Sequence, residues 1–256
     1  MSISLPSNID DLISIFEEVL ELSPSQTYIL QRILEEHKDL RSLDELLTFI
    51  EGLNVDARWV LESKYSLIRR IYPLASFNKF RMGVIKDIPE PLNMVAKGKI
   101  LIIDLSSIGN SVVKKLIAIS LLKLLEYGWR IWGKNRVFVI LEEVHNILSL
   151  SSHLLERLIS EVRKVGIGLI LVTQSPSILG YRIITNANVR IIHTLRFKDD
   201  INVMCKSLGD LGSCHTLLPR LGVGKALVDY TPLSMPLLVD IFPPTYILKN
   251  FTNVSI

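Results

Sequence analysis

Apolar residues recur at helical spacing through residues 1–95. They stand three or four positions apart, as one buried face of an amphipathic helix requires. Residues typical of helix N-caps precede three of these runs: Asn8, Ser23 and Ser42. A fourth run extends from residue 56 to 72 and is expected to stop at Pro73, because proline disrupts a helix interior. The pattern predicts an N-terminal helical subdomain over residues 1–95.

From residue 96 onward, short and wholly apolar runs alternate with helical segments. The runs "KILIID", "RVFVIL", "IGLILV" and "VRII" read as strands, and "SVVKKLIAISLLKLLEYG" and "LLERLISEVRKVG" read as helices. This alternation predicts an α/β domain over residues 96–256, with a parallel sheet flanked by helices on both faces. The last two runs, "GKALVDY" and "PLLVDIF", have a short loop between them and are expected to pair antiparallel at one edge.

Composition narrows the class of protein. The 256 residues are 48% hydrophobic with a mean hydropathy of +0.35, which supports a sizeable core and argues against disorder. No run of about 18 uncharged apolar residues occurs, and acids stand among the first 20 residues, so we expect a cytoplasmic protein without a membrane span or signal peptide. A net charge of +3 permits nucleic acid as a partner without requiring it.

The two cysteines, Cys205 and Cys214, do not support a disulfide framework. Together with His215 they could supply three metal ligands, but their spacing fits no familiar zinc pattern. We therefore expect neither a disulfide nor a metal at these positions.

Two adjacent acids, Glu142 and Glu143, follow the apolar run "VFVIL". Ligands of α/β proteins bind at the carboxyl ends of strands, and successive side chains there point to opposite faces. One acid could hold a magnesium ion through water while the other polarises a water molecule for attack on a phosphate, which is the Walker B arrangement. The two acids could equally begin a helix or a solvated loop.

Other polar residues compete for roles or complement the acids. Asp104 also ends an apolar run, but as a single acid it is better explained as a loop or cap residue beside a neighbouring strand. Gln174 follows the next strand and could contact a γ-phosphate or the attacking water, or could be a turn residue before Pro176. Arg163 and Lys164 end a helix. They could cross a subunit interface as an arginine finger does, or simply stabilise the helix C-terminus.

Four segments in order, "VILEEVHNIL", "EVRKVGIGLILVTQSP", "NANVRIIHTLRFKDD" and "LPRLGVGKALV", resemble the second half of the HerA-type DNA-translocating ATPases. These proteins belong to the HerA/FtsK branch of RecA-like motors. The segment "GKILIIDLSSIGNSVVKKLIA" and the capped helices before it resemble the stretch between the two nucleotide motifs of that family. The resemblance covers most of the chain and is strongest over about residues 97–240.

The resemblance implies a RecA-like P-loop NTPase fold and assigns residues to the nucleotide by matched position. Glu143 would be the catalytic acid, and Glu142 the acid on the magnesium side, acting through water. The Walker B motif more often has Asp at the position of Glu142. His145 matches the histidine that follows the acids in the family.

Four further positions acquire roles from the same resemblance. Gln174 would be the sensor of the γ-phosphate. Arg163, with Lys164, would be the finger that acts on the nucleotide of a neighbouring subunit, and Arg196 is a weaker second candidate for an interface cation.

The P-loop of that family, G-x-x-x-x-G-K-[ST], does not occur in this sequence. The three Gly-Lys pairs, in "KGKI", "WGKN" and "VGKA", lack the earlier glycine together with the following Ser or Thr. We therefore expect the P-loop to precede residue 1 or to come from another chain. This chain would then be the C-terminal part of a motor, with weak or absent ATP hydrolysis on its own.

The implied cofactors are ATP and Mg²⁺. The implied partners are DNA, gripped by its backbone without sequence preference, other copies in a homo-hexamer, a nuclease in DNA-end processing, and a P-loop-bearing segment or chain. Basic residues between 58 and 99 are interleaved with apolar positions, which favours a solvated helix face over DNA contact. Two alternatives remain: a VirB4-like conjugation or secretion ATPase, and a non-catalytic module that kept the fold.

Overall fold

The computed structural model describes residues 3–6, 8–54, 57–82, 90–132, 136–146, 153–209 and 212–243. The chain divides into two compact units: Met1–Leu148 with Ser152–Val172, and Thr173–Ile256 with Ser149–Ser151. The described residues form a mixed α/β structure that is mostly helical and has small sheets. None of the helices in these residues is both long enough and apolar enough to cross a membrane.

The first unit opens with a helical region. Its elements are β1 (Ile3–Ser4), α1 (Ile9–Leu20), α2 (Pro24–Glu36), α3 (Leu43–Gly52), α4 (Arg58–Ser76) and β2 (Phe80–Arg81), with β1 and β2 paired in parallel. The three predicted caps are confirmed. Asn8 and Ser42 each accept a backbone N–H at the start of α1 and α3, and Ser23 forms a reciprocal capping box with Gln26.

The predicted end of the fourth helix at Pro73 is wrong, because α4 continues through the proline to Ser76. Pro73 has no N–H to donate to the carbonyl four residues earlier, which weakens the helix locally. Leu74 and Ala75 are buried in the core of the unit, and their packing offsets this loss. Tertiary packing here overrides the local preference of the sequence.

The remainder of the first unit comprises α5 (Glu90–Ala96), α6 (Ser111–Trp132), β3 (Val137–Leu141), α7 (His153–Lys164) and β4 (Ile167–Leu171). Strands β3 and β4 pair in parallel, in register from Val137 opposite Ile167 to Leu141 opposite Leu171. One face of this pair packs against α6 and α7, in a cluster that contains Trp129, Val162 and Ile167.

The other face of the β3–β4 pair is exposed. Its side chains are apolar and their exposed fractions are high: Phe138 69%, Ile140 59%, Ile170 43% and Val172 46%. The sequence predicted helices on both faces, as parallel sheets normally have. In the part of the chain that the structure describes, helices cover only one of them.

The run "ILIID" is not a strand, which corrects the prediction for residues 100–104. Ile100 and Ile102 are 90% and 84% exposed, and the segment belongs to none of the sheets among the described residues. The prediction of Asp104 as a loop residue is confirmed, because its Oδ1 accepts the backbone N–H of Ser106 at 2.8 Å. That hydrogen bond lowers the pKa of Asp104. An apolar run becomes a strand only where a partner strand satisfies its backbone groups.

The second unit contains α8 (Pro176–Leu179), α9 (Tyr181–Asn186), β5 (Val189–Ile192), α10 (Lys198–Ser207), α11 (Cys214–Leu217), β6 (Lys225–Tyr230) and β7 (Leu237–Asp240). The strands form a separate antiparallel sheet in the order β5-β6-β7. The predicted antiparallel pairing of the last two strands is confirmed, but the prediction that they lie at the edge of a parallel sheet is wrong. Strand β5 was expected to extend a parallel sheet, but it pairs antiparallel with β6.

Cys205 and Cys214 form a disulfide in the core of the second unit, which corrects the expectation of two unpaired thiols. Both residues are fully buried, and the bond joins α10 to α11. Their sulfur atoms are therefore committed to each other. Among the described residues no group of three or more His, Cys, Asp and Glu side chains is placed to hold a metal ion.

A buried charge network joins three helices of the first unit. The Lys123 ammonium on α6 lies 3.0 Å from Glu126 on the same helix, 3.2 Å from Asp11 on α1 and 3.2 Å from Glu161 on α7. Lys123 is only 6% exposed. Arg130 lies 2.7 Å from the second oxygen of Glu126. Burial alone would favour the neutral forms, but the carboxylates and the cations compensate one another.

The network shifts two pKa values in opposite directions. Burial, the largest single influence on Glu126, raises its pKa, but hydrogen bonds from Lys123 and Arg130 outweigh burial, so the pKa lies below its ordinary value. Burial likewise lowers the pKa of Lys123, and the hydrogen bond to Glu126 with the charge of Asp11 raises it above its ordinary value. Both groups are therefore charged at neutral pH.

We expect Lys123→Met to lower the free energy of unfolding by about 3 kcal/mol, because it leaves buried carboxylates without their common cation. Urea denaturation measures the change. Arg32→Met is the matched control: its pair with Glu36 is more than half exposed, so its loss should leave the free energy of unfolding nearly unchanged. Equal losses in the two variants would contradict a stabilising role for the network.

We also expect stability to depend on pH through Glu126. A carboxyl group with a lowered folded-state pKa contributes stability above its unfolded-state pKa and loses it as pH falls through the folded-state value. The free energy of unfolding should therefore decline as the solution is acidified below about pH 5. Glu126→Gln should make that decline shallower. A decline of unchanged slope in Glu126→Gln would assign the acid sensitivity to other carboxylates.

Candidate active site

The carboxyl end of β3 is held in place by β4. The Val172 N–H donates to the Leu141 carbonyl at 2.9 Å, and the Val144 N–H donates back to the Val172 carbonyl at 3.1 Å. Glu142 and Glu143 lie in the turn between these two bonds, ahead of a short 3₁₀ turn over Val144–Asn146. The side chain of Val144 is fully buried. The turn that carries both acids is thus anchored on both sides.

Glu143 has a left-handed backbone conformation with φ at 49°. This region is uncommon for residues other than glycine, and a residue held in it costs on the order of 1–3 kcal/mol. The flanking hydrogen bonds of Val144 and Val172 compensate for the strain. Strained backbone of this kind clusters at functional sites, where it aims a side chain. Glu143 is therefore distinguished from Glu142 by its backbone as well as by its position.

The carboxylate of Glu143 faces the imidazole of His145. Glu143 Oε2 lies 3.3 Å from His145 Nε2, and the side chains are 48% and 21% exposed, respectively. An imidazole at this distance can orient the carboxylate, while the exposed half of the side chain meets solvent. This arrangement suits a carboxylate that orients or polarises a water molecule. The structure thus brings three of the predicted site residues together: Glu142, Glu143 and His145.

The acids do not form a metal site by themselves. No cluster of three or more metal-ligating side chains occurs in the described ranges. Magnesium, however, commonly takes one or two carboxylates and completes its shell with water and substrate phosphates. The solvent-exposed carboxylate of Glu142 fits such a role. The sequence contains no P-loop to hold those phosphates, so these residues fit the magnesium side of ATP and not its phosphate cradle.

Arg163 and Lys164 are exposed in the last turn of α7, before Gly166 ends the helix with φ at 85°. They precede β4, whereas Glu142 and Glu143 follow β3. Because the two strands are parallel, the basic pair and the acids lie at opposite edges of the sheet, roughly 13 Å or more apart along the strands. Within one chain the structure does not bring them together.

Gln174 and Arg196 belong to the second unit. Gln174 is exposed in the loop before α8, next to Thr173, whose Oγ1 accepts the Ser175 N–H at 3.1 Å. Arg196 is exposed in the segment between β5 and α10. The roles assigned to these two residues stay predictions.

No pattern in the sequence indicated which residue anchors the segment after Gln174. Asp200 on α10 is 3% exposed and accepts hydrogen bonds from the N–H and the Oγ of Ser177, at 2.9 and 2.6 Å. This contact fixes α8 against α10. The N-cap of α10 is Phe197, and Asp199 lies in its first turn.

Comparisons with known proteins bear on these predictions. No protein-family model matches the chain. Over 109 residues, 40% of this chain and 21% of the relative, the sequence is 33% identical to a protein of Methanocaldococcus jannaschii described as a probable helicase. Over 156 residues, 56% of this chain and 32% of the relative, it is 28% identical to the DNA double-strand break repair helicase HerA of Sulfurisphaera tokodaii. The chain therefore spans only about a fifth and about a third of these two relatives.

The structure of VirB4 of Thermoanaerobacter pseudethanolicus matches the fold with a TM-score of 0.67. The match covers 94% of this chain and 70% of that one, at 13% sequence identity, which establishes a shared fold and no more. The resemblance of the sequence to HerA-type ATPases is confirmed by the distant relatives. The chain is thus distantly similar in sequence to HerA-type helicases, and it shares its fold with VirB4.

Proposed function

We propose that the chain is the post-P-loop portion of an ATP-driven, ring-forming DNA translocase or helicase of HerA type that acts in DNA-end processing or repair. The observation that carries this proposal is Glu143, held in a left-handed conformation at the carboxyl end of β3 beside His145. Two distant relatives are helicases by name, which supports the same class. Residues 1–95 would be the helical insertion that follows the P-loop, and residues 96–256 the RecA-like core.

In this proposal Glu143 polarises the water that attacks the γ-phosphate, and Glu142 contacts the magnesium ion of ATP through water. His145 orients Glu143, and Gln174 senses the γ-phosphate. The phosphates themselves need backbone N–H groups and a lysine that these residues do not supply. A P-loop from residues outside these 256, or from another chain, must complete the site, and we derive no hydrolytic step for this chain alone.

The position of the basic pair supports a ring. Arg163 and Lys164 cannot reach the acids of their own chain, because they lie at the opposite edge of the β3–β4 pair. A neighbouring copy could present them to those acids, as an arginine finger acting in trans does. The catalytic assembly would then be a homo-hexamer in which each site uses residues of two copies. Arg196 is a second candidate for an interface cation.

A VirB4-like conjugation or secretion ATPase is the second candidate. The fold match to VirB4 over 94% of the chain favours it, whereas the named sequence relatives favour the HerA type. Turnover stimulated by duplex DNA, and copurification with a nuclease, would favour the HerA type. Turnover that depends on membrane-bound partners would favour the VirB4 type.

We expect the purified chain to hydrolyse ATP no faster than its Glu143→Gln variant, because neither contains a P-loop. In the assembly with the P-loop-bearing segment, Glu143→Gln should lower kcat by about a hundredfold or more while ATP binding persists. A coupled phosphate-release assay with a separate nucleotide-binding titration measures both. Glu17→Gln, at an exposed position of α1, is the control. Unchanged turnover in Glu143→Gln assemblies would refute the assignment of the catalytic acid.

A mixing experiment tests the trans arrangement. Assemblies made only of Arg163→Ala or only of Glu143→Gln chains should be inactive. Mixed assemblies should regain turnover at interfaces where an intact Glu143 meets an intact Arg163 from its neighbour. Mixing Arg163→Ala chains with the double variant Glu143→Gln/Arg163→Ala is the control, because no interface then has both residues. Equal activity in the two mixtures would exclude Arg163 as the finger.

A further inference from the structure

Helix α4 carries two tyrosines and an arginine on one exposed line. Tyr65 and Tyr72 are 57% and 63% exposed, and Arg69 between them is also exposed. Residues four and three positions apart stack on one face of a helix, at intervals of about 6 and 4.5 Å along its axis. The guanidinium group is thus flanked by an aromatic ring on each side. We name Tyr65, Arg69 and Tyr72 the α4 stripe.

The fold does not require these rings on the surface. The opposite face of α4 packs the helical region through Leu67, Ile71 and Leu74, each fully buried. Single exposed apolar residues are ordinary in proteins, but two large rings aligned about an arginine are not. The continuation of α4 through Pro73 to Ser76 keeps Tyr72 inside a regular helix and in line with Tyr65. The stripe is therefore a rigid surface.

The net charge of helix α4 itself is positive. Helix α4 has four cations and one acid, Glu62, which pairs with Arg58. Two of the cations are fixed by backbone carbonyls: Lys64 donates to Glu51 and Leu53 at the end of α3, and Arg70 donates to the end of α1. These hydrogen bonds leave their charges in place. The cations of α4 therefore attract anions locally, although residues 1–82 as a whole contain 13 acids and 9 Lys or Arg residues.

We propose that the α4 stripe binds single-stranded nucleic acid, with bases stacked on Tyr65 and Tyr72 and a phosphate contacting Arg69. Aromatic rings accept unstacked bases of any sequence, and arginine adds charge and cation–π attraction. In a duplex the bases are stacked on one another, so their faces are not available to stack on the tyrosine rings. The proposal rests on the proposed function, since it names a surface of the DNA motor, and it revises the expectation of a merely solvated helix face.

The test measures fluorescence anisotropy of labelled oligo-dT of roughly 20 nucleotides, longer than the usual site of about 4–16 nucleotides, with the purified chain. A duplex of equal length is measured in parallel. We expect oligo-dT to bind more tightly than the duplex. Tyr65→Ala/Tyr72→Ala should raise Kd about tenfold or more. Arg69→Ala should weaken binding and reduce the salt dependence by about one phosphate contact.

Tyr28→Ala/Arg32→Ala is the matched control, because it removes an exposed tyrosine and an exposed arginine from α2 of the same unit. All variants should keep the thermal unfolding midpoint of the parent, since the replaced side chains are on the surface and alanine favours helix. The control should leave Kd unchanged.

Three results would overturn the proposal. The chain could fail to bind oligo-dT, or the control variant could raise the Kd for oligo-dT as much as the tyrosine variant does. The duplex could also bind at least as tightly as oligo-dT, with a Kd that the tyrosine variant leaves unchanged. Tyrosine and arginine also dominate protein interfaces. If the stripe variants change the sedimentation of the assembly and leave oligo-dT binding intact, the stripe contacts protein and the proposal is wrong. The hydrolysis assay with Glu143→Gln tests only the ATP site, whereas the anisotropy assay tests only the α4 stripe. Either proposal can therefore fail while the other stands.

Discussion

The Lys123 ammonium is the charge on which the organisation of the first unit depends. It compensates carboxylates from α1, α6 and α7 at one buried point, which lowers the cost of placing those carboxylates between the helices. Helices α6 and α7 in turn cover one face of β3 and β4, which fix the turn at Glu143. The helical region and the candidate acid are therefore connected through one set of ion pairs, within one compact unit.

The parallel pairing of β3 and β4 separates the acids of the candidate site from the basic pair at the end of α7. A parallel strand pair has its two carboxyl ends at one edge, so Glu142 and Glu143 lie at that edge and the end of α7 at the other. Acids at one edge and a basic pair at the other are what a site shared between neighbouring copies would require, as in the proposed ring.

The sequence predicted what local chemistry decides. Local side chains decide the caps at Asn8, Ser23 and Ser42, the strand before the acids, and the antiparallel pairing of β6 with β7. Features decided by distant contacts were missed: α4 passing Pro73, the Cys205–Cys214 bond, and the unpaired "ILIID" run. At the site, the two acids were predictable, whereas the left-handed backbone of Glu143 depends on hydrogen bonds to β4 that no pattern of residues reveals.

The exposed face of β3 and β4 has a consequence for how the protein is made in a cell. Phe138, Ile140, Ile170 and Val172 offer a flat apolar surface to any nascent chain nearby. A polypeptide with such a surface is a substrate for chaperones and tends to precipitate at high concentration. Production on its own would then give low yields, and coexpression with whatever segment covers that face would raise them. The chain would then need a partner for folding and solubility as well as for catalysis.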